Sequence, residues 1–310
     1  MKRQVKFSYL LAILMATSPA LAQNSNLNDA SKTNTQTLGT LEFVRTRCST
    51  DGRNVYTQWQ GSVYAFVPQE KQRKLFNIIE MNVARCLQDR QGQWFLTSRE
   101  LNFYLDPQTN QVLNYWQNPW TKEVVPVVHV ANNPVQHDIG GEYLVFVNGE
   151  NVTFSLNIPL TYPNVLANES KFQEYSSQPL YQAGEFFKFT VPKRYVTDSS
   201  TTTVPLVAST WMRLGPWLPW MKMKDRSGQL VYSATTRKFL DFEELSPTLR
   251  HVIQARLPLY QEAPHCFLAT SNVTSWTYFR QHFNDYLEGA QFPVAEQSDP
   301  PCKEDSVVKQ

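Results

Sequence analysis

Between Trp94 and Val130 apolar and polar positions follow a period of two, broken twice by turn residues. Phe95, Thr97, Arg99, Leu101, Phe103 and Leu105 fall on one face, and Trp94, Leu96, Ser98, Glu100, Asn102 and Tyr104 on the other. That alternation predicts a strand. The first face is a core face carrying one Arg. The second mixes aromatic, apolar and polar residues. It suits solvent, or the lumen of a barrel that holds something small, and the pattern leaves both open. Asp106-Pro107-Gln108-Thr109-Asn110 and Asn118-Pro119-Trp120-Thr121-Lys122 are turn signals. Two turns between three runs predict a meander of three antiparallel strands.

The same reading extends along the chain. Leu38, Leu41 and Phe43-Val44 form a short helical stripe. Val55 to Val67 is a strand with a bulge or bend at Gly61, and Leu75 to Leu87 is a second. Asn148-Gly149 joins Tyr143–Val147 to Val152–Ile158 as a hairpin. Tyr162 to Gln182 reads as a surface loop, Glu185 to Pro192 and Gln229 to Phe239 as strands. Ser246 caps a helix from Pro247 to about Arg256. Thr274 to Gly289 fits one amphipathic helix, with Trp276, Phe279, Phe283 and Leu287 in register. Roughly ten strands and two or three short helices, with no βα alternation, predict a mainly β fold. It is a curved antiparallel up-and-down sheet or barrel, calycin-like by analogy.

The ends change the picture. Lys2, Arg3 and Lys6 precede an apolar run, Phe7 to Ala16, and Ala20-Leu21-Ala22 follows. Residues 1–22 therefore read as a signal peptide, too short to span a bilayer, and no later stretch is long and apolar enough to span. Residues 23–39 read as a flexible leader, 40–290 as a single β-rich domain and 291–310 as a polar tail. Cleavage removes three of 29 basic residues and none of the 27 acidic ones, turning a formal +2 into −1. A near-neutral mature chain argues against nucleic acid and charged membrane surfaces as partners. The expected location is periplasmic or secreted. Four cysteines in an exported chain favour disulfides. Of three connectivities, Cys48–Cys86 and Cys266–Cys302 are favoured because each pair lies within one end of the chain.

Several motifs together resemble the domain of unknown function family 1838, exported bacterial proteins. They are Trp59-x-Gly61 with Val63-Tyr64-Ala65, Asn82-x-x-Arg85, Ser98-Arg99-Glu100 with Phe103-Tyr104-Leu105-Asp106-Pro107, and Asn118-Pro119-x-Thr121. His129-Val130, Arg213-x-Gly215-Pro216-Trp217-Leu218-Pro219-Trp220-Met221 and Thr274-Ser275-Trp276-Thr277-Tyr278-Phe279 complete the set. The resemblance implies a shared fold and export, and supplies no activity. The family pattern has Gly where this chain has Asn110 and Lys122. Lys tolerates the left-handed conformation poorly, so the second turn is expected to differ in shape. Cys266 and Cys302 are not part of the pattern.

Candidate chemistry is sparse. No G-x-S-x-G, P-loop or Rossmann glycine pattern occurs. The five His are scattered and no C-x-x-C occurs, so neither a metal nor another cofactor is expected. Trp211 to Met223 reads as a packed plug closing one end of the barrel, or as an aromatic ligand wall with Arg213 orienting an acidic group. Arg85 and Arg99 read as structural ion pairs between strands, with anion recognition by Arg85 and Asn82 as the sharper account. Glu100 among aromatics, and His129 in its strand, are the acid–base candidates. The expected function is binding of a small apolar or aromatic ligand by Asn82, Arg85, Trp94, Asn102, Tyr104, Arg213, Trp217 and Trp220. The alternatives are a metal-independent isomerase, lyase or hydrolase using Glu100 or His129 with an Arg anion clamp, and a structural or interaction protein of the envelope.

Overall fold

The structure is a computed structural model describing residues 34–304, apart from 177, 207, 225 and 297. The expected signal peptide and most of the expected leader lie outside the described residues. Twelve strands follow in chain order. They are β1 (Thr35–Leu38), β2 (Val55–Phe66), β3 (Arg73–Gln88), β4 (Trp94–Leu105), β5 (Tyr115–Gln117), β6 (Val124–Pro126), β7 (Val130–Ile139), β8 (Tyr143–Asn148), β9 (Asn151–Pro163), β10 (Leu180–Pro192), β11 (Ala208–Gly215) and β12 (Gln229–Phe239). Ten of them form one antiparallel sheet in the order β1-β8-β9-β10-β11-β12-β2-β3-β4-β7. Apart from β1, β5 and β6, neighbours in chain order are neighbours in space, apart from the β12–β2 seam and the break between β7 and β8. This is the up-and-down order expected. β7 ends one edge and β8 lies next to the other, yet only residues 140–142 join them. Such a link spans at most ~14 Å, so the sheet must curl until its edges approach.

Gly61 shows how the curl is made. It pairs with Ala234 of β12 and Ile78 of β3. A Cβ there would lie 2.0 Å from Ser233 O and 2.6 Å from Ala234 Cα. The residue marks a close approach of two backbones, which only glycine allows. The register shift itself comes two residues later, between Val63 and Tyr64.

The three-strand meander is corrected. After its turn the chain touches β4 only through the Leu105–Val112 bridge, and β5 and β6 pair with each other in a separate hairpin. The true partner of β4 is β7. The hairpin leaves the sheet because Trp116 is apolar enough to be buried elsewhere: it packs on Phe76 and Trp220 and helps close one end of the barrel. The second turn does not differ in shape from the first. Asn110 and Lys122 both take positive φ, 58° and 66°. Their N–H groups donate to Asp106 O and Asn118 O at 3.0 and 2.9 Å. Lys122 accepts the strain because Asn118 Oδ1 receives the N–H of Trp120 and Thr121.

Five helices dress the sheet: α1 (Thr40–Arg47), α2 (Lys193–Val196), α3 (Pro247–Arg256), α4 (Ser275–Gln281) and α5 (Phe283–Leu287). Ser246 Oγ caps α3 by accepting from Leu249 N. The single helix expected over 274–289 is two, divided at His282, and Leu287 is exposed. Thr35–Leu38, read as leader, is a strand paired with β8. The loop expected over 162–182 is shorter, because β10 begins at Leu180 and pairs Tyr181 with Tyr162. α3 packs on β3 and the turn Pro258–Gln261 on β4. This places the apolar face of β4 on the covered outside of the curl and its mixed face on the inside.

The cysteines pair as Cys48–Cys86 and Cys266–Cys302. The second bridge fastens residues 301–303 beside 267–269, with Ala269 N–H donating to Pro301 O and Lys303 N–H to Phe267 O, both at 2.8 Å. The preceding stretch is not loose either: Phe292 is buried, and Asp299 pairs with Arg99. Because this segment lies over one flank and outside the strand seams, Cys302→Ser is expected to open it to protease near 301–304 with little change in the melting temperature of the barrel. Limited proteolysis with mass mapping reads the first and calorimetry the second. Cooperative loss of the whole fold would contradict it.

Candidate functional site

The inward positions of the strands repeat every second residue: Glu80 and Asn82 on β3, Glu100, Asn102 and Tyr104 on β4, Glu185 and Phe187 on β10, Trp211 and Arg213 on β11. With Trp59, Tyr232 and Asn132 they line a cavity of about 130 Å³. Arg47 enters it from the last turn of α1. A volume of this order admits a benzene-sized molecule, by comparison with the ~150 Å³ of a well-studied engineered cavity.

Strand register fixes who stands beside whom. Thr57, Asn82, Glu100 and Asn132 are successive cross-strand partners from β2 to β7. Trp59, Glu80, Asn102 and Val130 form the next row, and Gly61, Ile78 and Tyr104 the one after. Across the curl, Glu185 pairs with Arg213 and Arg213 with Tyr232. The cavity therefore has an Arg47 end and an Arg213 end, with Trp59 and Glu80 between.

At the Arg47 end, Arg47 Nη2 donates to Asn82 Oδ1 and Nη1 to Thr57 Oγ1, both at a long 3.5 Å. Its carbon lies 5.4 Å from the Phe189 ring centre. Burial pushes its pKa down, and Glu100 partly opposes this. Glu100 accepts from Asn132 Nδ2 at 3.2 Å and Asn82 Nδ2 at 3.3 Å. Burial raises its pKa, against the pull of those amides and Arg47. At the other end Arg213 Nε lies 3.4 Å from Glu185, Nη2 donates to the Tyr181 hydroxyl, and the guanidinium sits 5.1 Å from the Tyr232 ring centre. Burial alone would depress its pKa, but Tyr181, Tyr232 and Glu185 raise it above the usual value, so it stays charged. The Tyr104 and Tyr232 hydroxyls are 3.2 Å apart.

Glu80 differs from both other carboxylates. Among the described residues it has no hydrogen bond or ion pair. Burial, then repulsion from Glu100 and Glu185, push its pKa well above the ordinary value, and Arg213 offsets only part. Of the three carboxyls it is the one whose surroundings most favour the neutral form. Asn102 Oδ1 and Asn132 Oδ1 are buried and accept no hydrogen bond from any described residue. Buried polar atoms are rarely left so.

Of the expected site residues, the structure brings Asn82, Glu100, Asn102, Tyr104 and Arg213 to the cavity. It does not bring Arg85, which bonds Asn54 and Glu262 on the outside. Trp94 is not among the lining residues. Trp217 donates to Arg226 O, and Trp220 packs on Phe76, Tyr104 and Trp116 as part of the end plug. Arg99 serves the outer face, donating to Asn133 Oδ1 and pairing with Asp299. Glu80, Glu185, Arg47, Trp59 and Asn132 are lining residues that sequence reasoning missed, while Trp211, from the segment read as a plug or ligand wall, does line the cavity. The available signal was the repeated inward pair, as in Glu80-x-Asn82 and Trp211-x-Arg213.

His129 stands apart from the cavity. Its Nδ1 accepts from Tyr104 N at 3.1 Å, and its ring packs on Phe103. Burial lowers its pKa to about 3. A His depressed in the fold is protonated first in the unfolded chain, so its contribution is complete above pH 6.5 and lost as pH falls from there toward 3. Between pH 7 and 5 this group alone should cost about 2 kcal/mol. The raised carboxyls Glu80 and Glu100 act with the opposite sign, so the test is a difference. His129→Phe is expected to be less stable at pH 7, having lost the acceptor for Tyr104 N–H, yet to show a shallower fall to pH 5. Denaturant melts at the two pH values decide it, and equal falls would refute the assignment.

No curated protein is significantly similar to this chain. Residues 52–283 match the family described as protein of unknown function (DUF1838), and the chain belongs to that family.

Proposed function

We propose that this protein is an exported small-molecule-binding barrel, and that its ligand is a compact polar molecule with a flat apolar part. The observation that carries the reading is a lumen with unspent polar groups: the Glu80 carboxyl, and two buried Asn oxygens that accept no hydrogen bond from any described residue. Trp59, Trp211 and Phe187 supply flat apolar walls, as the expected aromatic ligand requires. The charged lining changes the ligand class from apolar to polar. Export is supported by the two disulfides, which persist in oxidising compartments. No described helix is long and apolar enough to cross a membrane.

Native mass spectrometry of protein purified from its own host tests the reading. A retained small molecule is expected, and it should be absent from Glu80→Leu. That substitution puts an apolar group in the lumen and removes a half-buried carboxyl whose side chain makes no hydrogen bond among the described residues, so the variant is expected to be more stable than wild type. More stability with lost binding is the signature of a site held at the cost of the fold. A variant that is less stable and still carries the ligand would overturn the reading.

A further inference from the structure

We propose that Glu80 and Glu100 form a catalytic acid–base pair that moves a proton within an unsaturated carbonyl compound held in the lumen. The proposal rests on the binding reading above and adds a reaction to it.

The geometry is that of two carboxyl groups on adjacent strands, facing one cavity. Glu80 pairs across β3–β4 with Asn102, and Glu100 is two residues from Asn102 on the same face. They are diagonal neighbours, with backbones about 7–8 Å apart. That spacing lets both carboxyls reach one molecule in the lumen. Their partners differ. Glu100 is held by two amide donors beside Arg47, which favours carboxylate. Glu80 has no donor and two carboxylate neighbours, which favours the acid. Two like groups in unlike surroundings, one held by donors and one without them, are suited to act as base and acid. Trp59 and Trp211 present ring faces, and Tyr104 lies diagonal to Glu80 on the side away from Glu100.

The step balances without a co-reactant. Glu100 takes a proton from the carbon between the carbonyl and the double bond. The C–H pair becomes a new C=C bond, the carbonyl π pair moves to oxygen, and that oxygen takes the proton of Glu80. The product is a dienol, with Glu80 ionised and Glu100 protonated. In the second half the dienol O–H proton returns to Glu80 and the carbonyl re-forms. The pair displaced from the double bonds takes the Glu100 proton at the far carbon. The double bond ends conjugated with the carbonyl, and both side chains are as they began.

The test uses a β,γ-unsaturated cyclohexenone with the full-length exported protein, following conjugation by absorbance and binding by native mass spectrometry. Wild type is expected to convert it, with both Glu80→Gln and Glu100→Gln reduced by about 10²-fold or more. Activity should fall on the acid side as Glu100 is protonated and on the alkaline side as Glu80 ionises. The alkaline limb should vanish in Glu80→Gln. The groups facing this pair, Arg47, Glu185, Arg213, Tyr104 and Tyr232, are unchanged in these variants. In D2O the transferred atom is read at the far carbon by NMR, a measurement on wild type that does not depend on a variant folding. Binding without conversion overturns the acid–base pair and leaves the binding reading intact. Neither binding nor conversion overturns both. Conversion undiminished in folded Glu80→Gln or Glu100→Gln overturns the assignment of these residues.

Discussion

Gly61→Ala is expected to destabilise the barrel by about 3–5 kcal/mol, the upper end of what overpacking costs. The added methyl would meet Ser233 O at 2.0 Å, Ala234 Cα at 2.6 Å and Ala234 Cβ at 2.7 Å. Two of these are backbone atoms, and none belongs to a side chain that could swing away. The β2–β12 seam must open, and it lies inside the sheet, where it joins the β8–β12 run to the β2–β7 run. At about 2–4 °C per kcal/mol for a domain of this size, the melting temperature should fall by roughly 6–20 °C. Ala234→Gly in the same chain removes the Cβ contact and leaves Ser233 O in place, so it should restore only part. Full rescue would show that the side chain, and not the backbone, sets the spacing. A fall below 2 °C would show that the seam yields easily.

Such a position could be read in advance because its signal is local. A glycine inside an alternating run has few explanations, and a bend or close approach is the commonest. The same holds for Asn148-Gly149, whose hairpin closes as expected with Gly149 at φ 58°. What failed was whatever depended on a distant partner. The run after Asp106–Asn110 has strand character, but the edge of β4 was already promised to β7, from across the excursion over residues 106–129. Arg85 and Arg99 were read as structural ion pairs, and they are, but their partners are Glu262 and Asp299 from the end of the chain and not residues of neighbouring strands. Glu100 and Asn102 were legible as sharing one face because their strand alternates, while the pattern left open whether that face meets solvent or a lumen. Glu80 was not, since β3 is apolar on both faces around it and a single carboxylate there looks like an interruption. Only the register beside Asn102 makes it part of a set. The lumen was thus half visible: its residue types follow from local alternation, and its membership from pairings that no local pattern encodes.

The position of Arg47 depends on a residue far along the chain, and this gives the second large effect. Lys238 Nζ lies 2.9 Å from Arg45 O, 2.9 Å from Thr46 O, 3.1 Å from Cys48 O and 3.0 Å from Val204 O. Three of these are carbonyls of the end of α1, which have no partner within the helix. A cation there also suits the helix dipole. Lys238→Met relieves the desolvation of the ammonium, which acts in the variant's favour. It also takes a donor from four carbonyls at once; Arg45 O keeps the Val204 N–H and Cys48 O keeps the Thr203 hydroxyl, so the cost of about 1–3 kcal/mol for a carbonyl left dry falls on Thr46 O and Val204 O. The second effect should win, because the carbonyls are fixed by the helix and by the Val204 segment and cannot turn to water without unwinding the last turn. The costs are not additive, and a net loss of roughly 3 kcal/mol is expected, or about 6–12 °C in melting temperature. Hydrogen exchange should show α1 opening ahead of the sheet. Since Arg47 enters the lumen from that same turn, the variant should also bind its ligand more weakly than its remaining stability would account for. A melting temperature within 2 °C of wild type, with α1 still protected, would show that the four carbonyls find other donors and that the lysine is not what holds the Arg47 end in place.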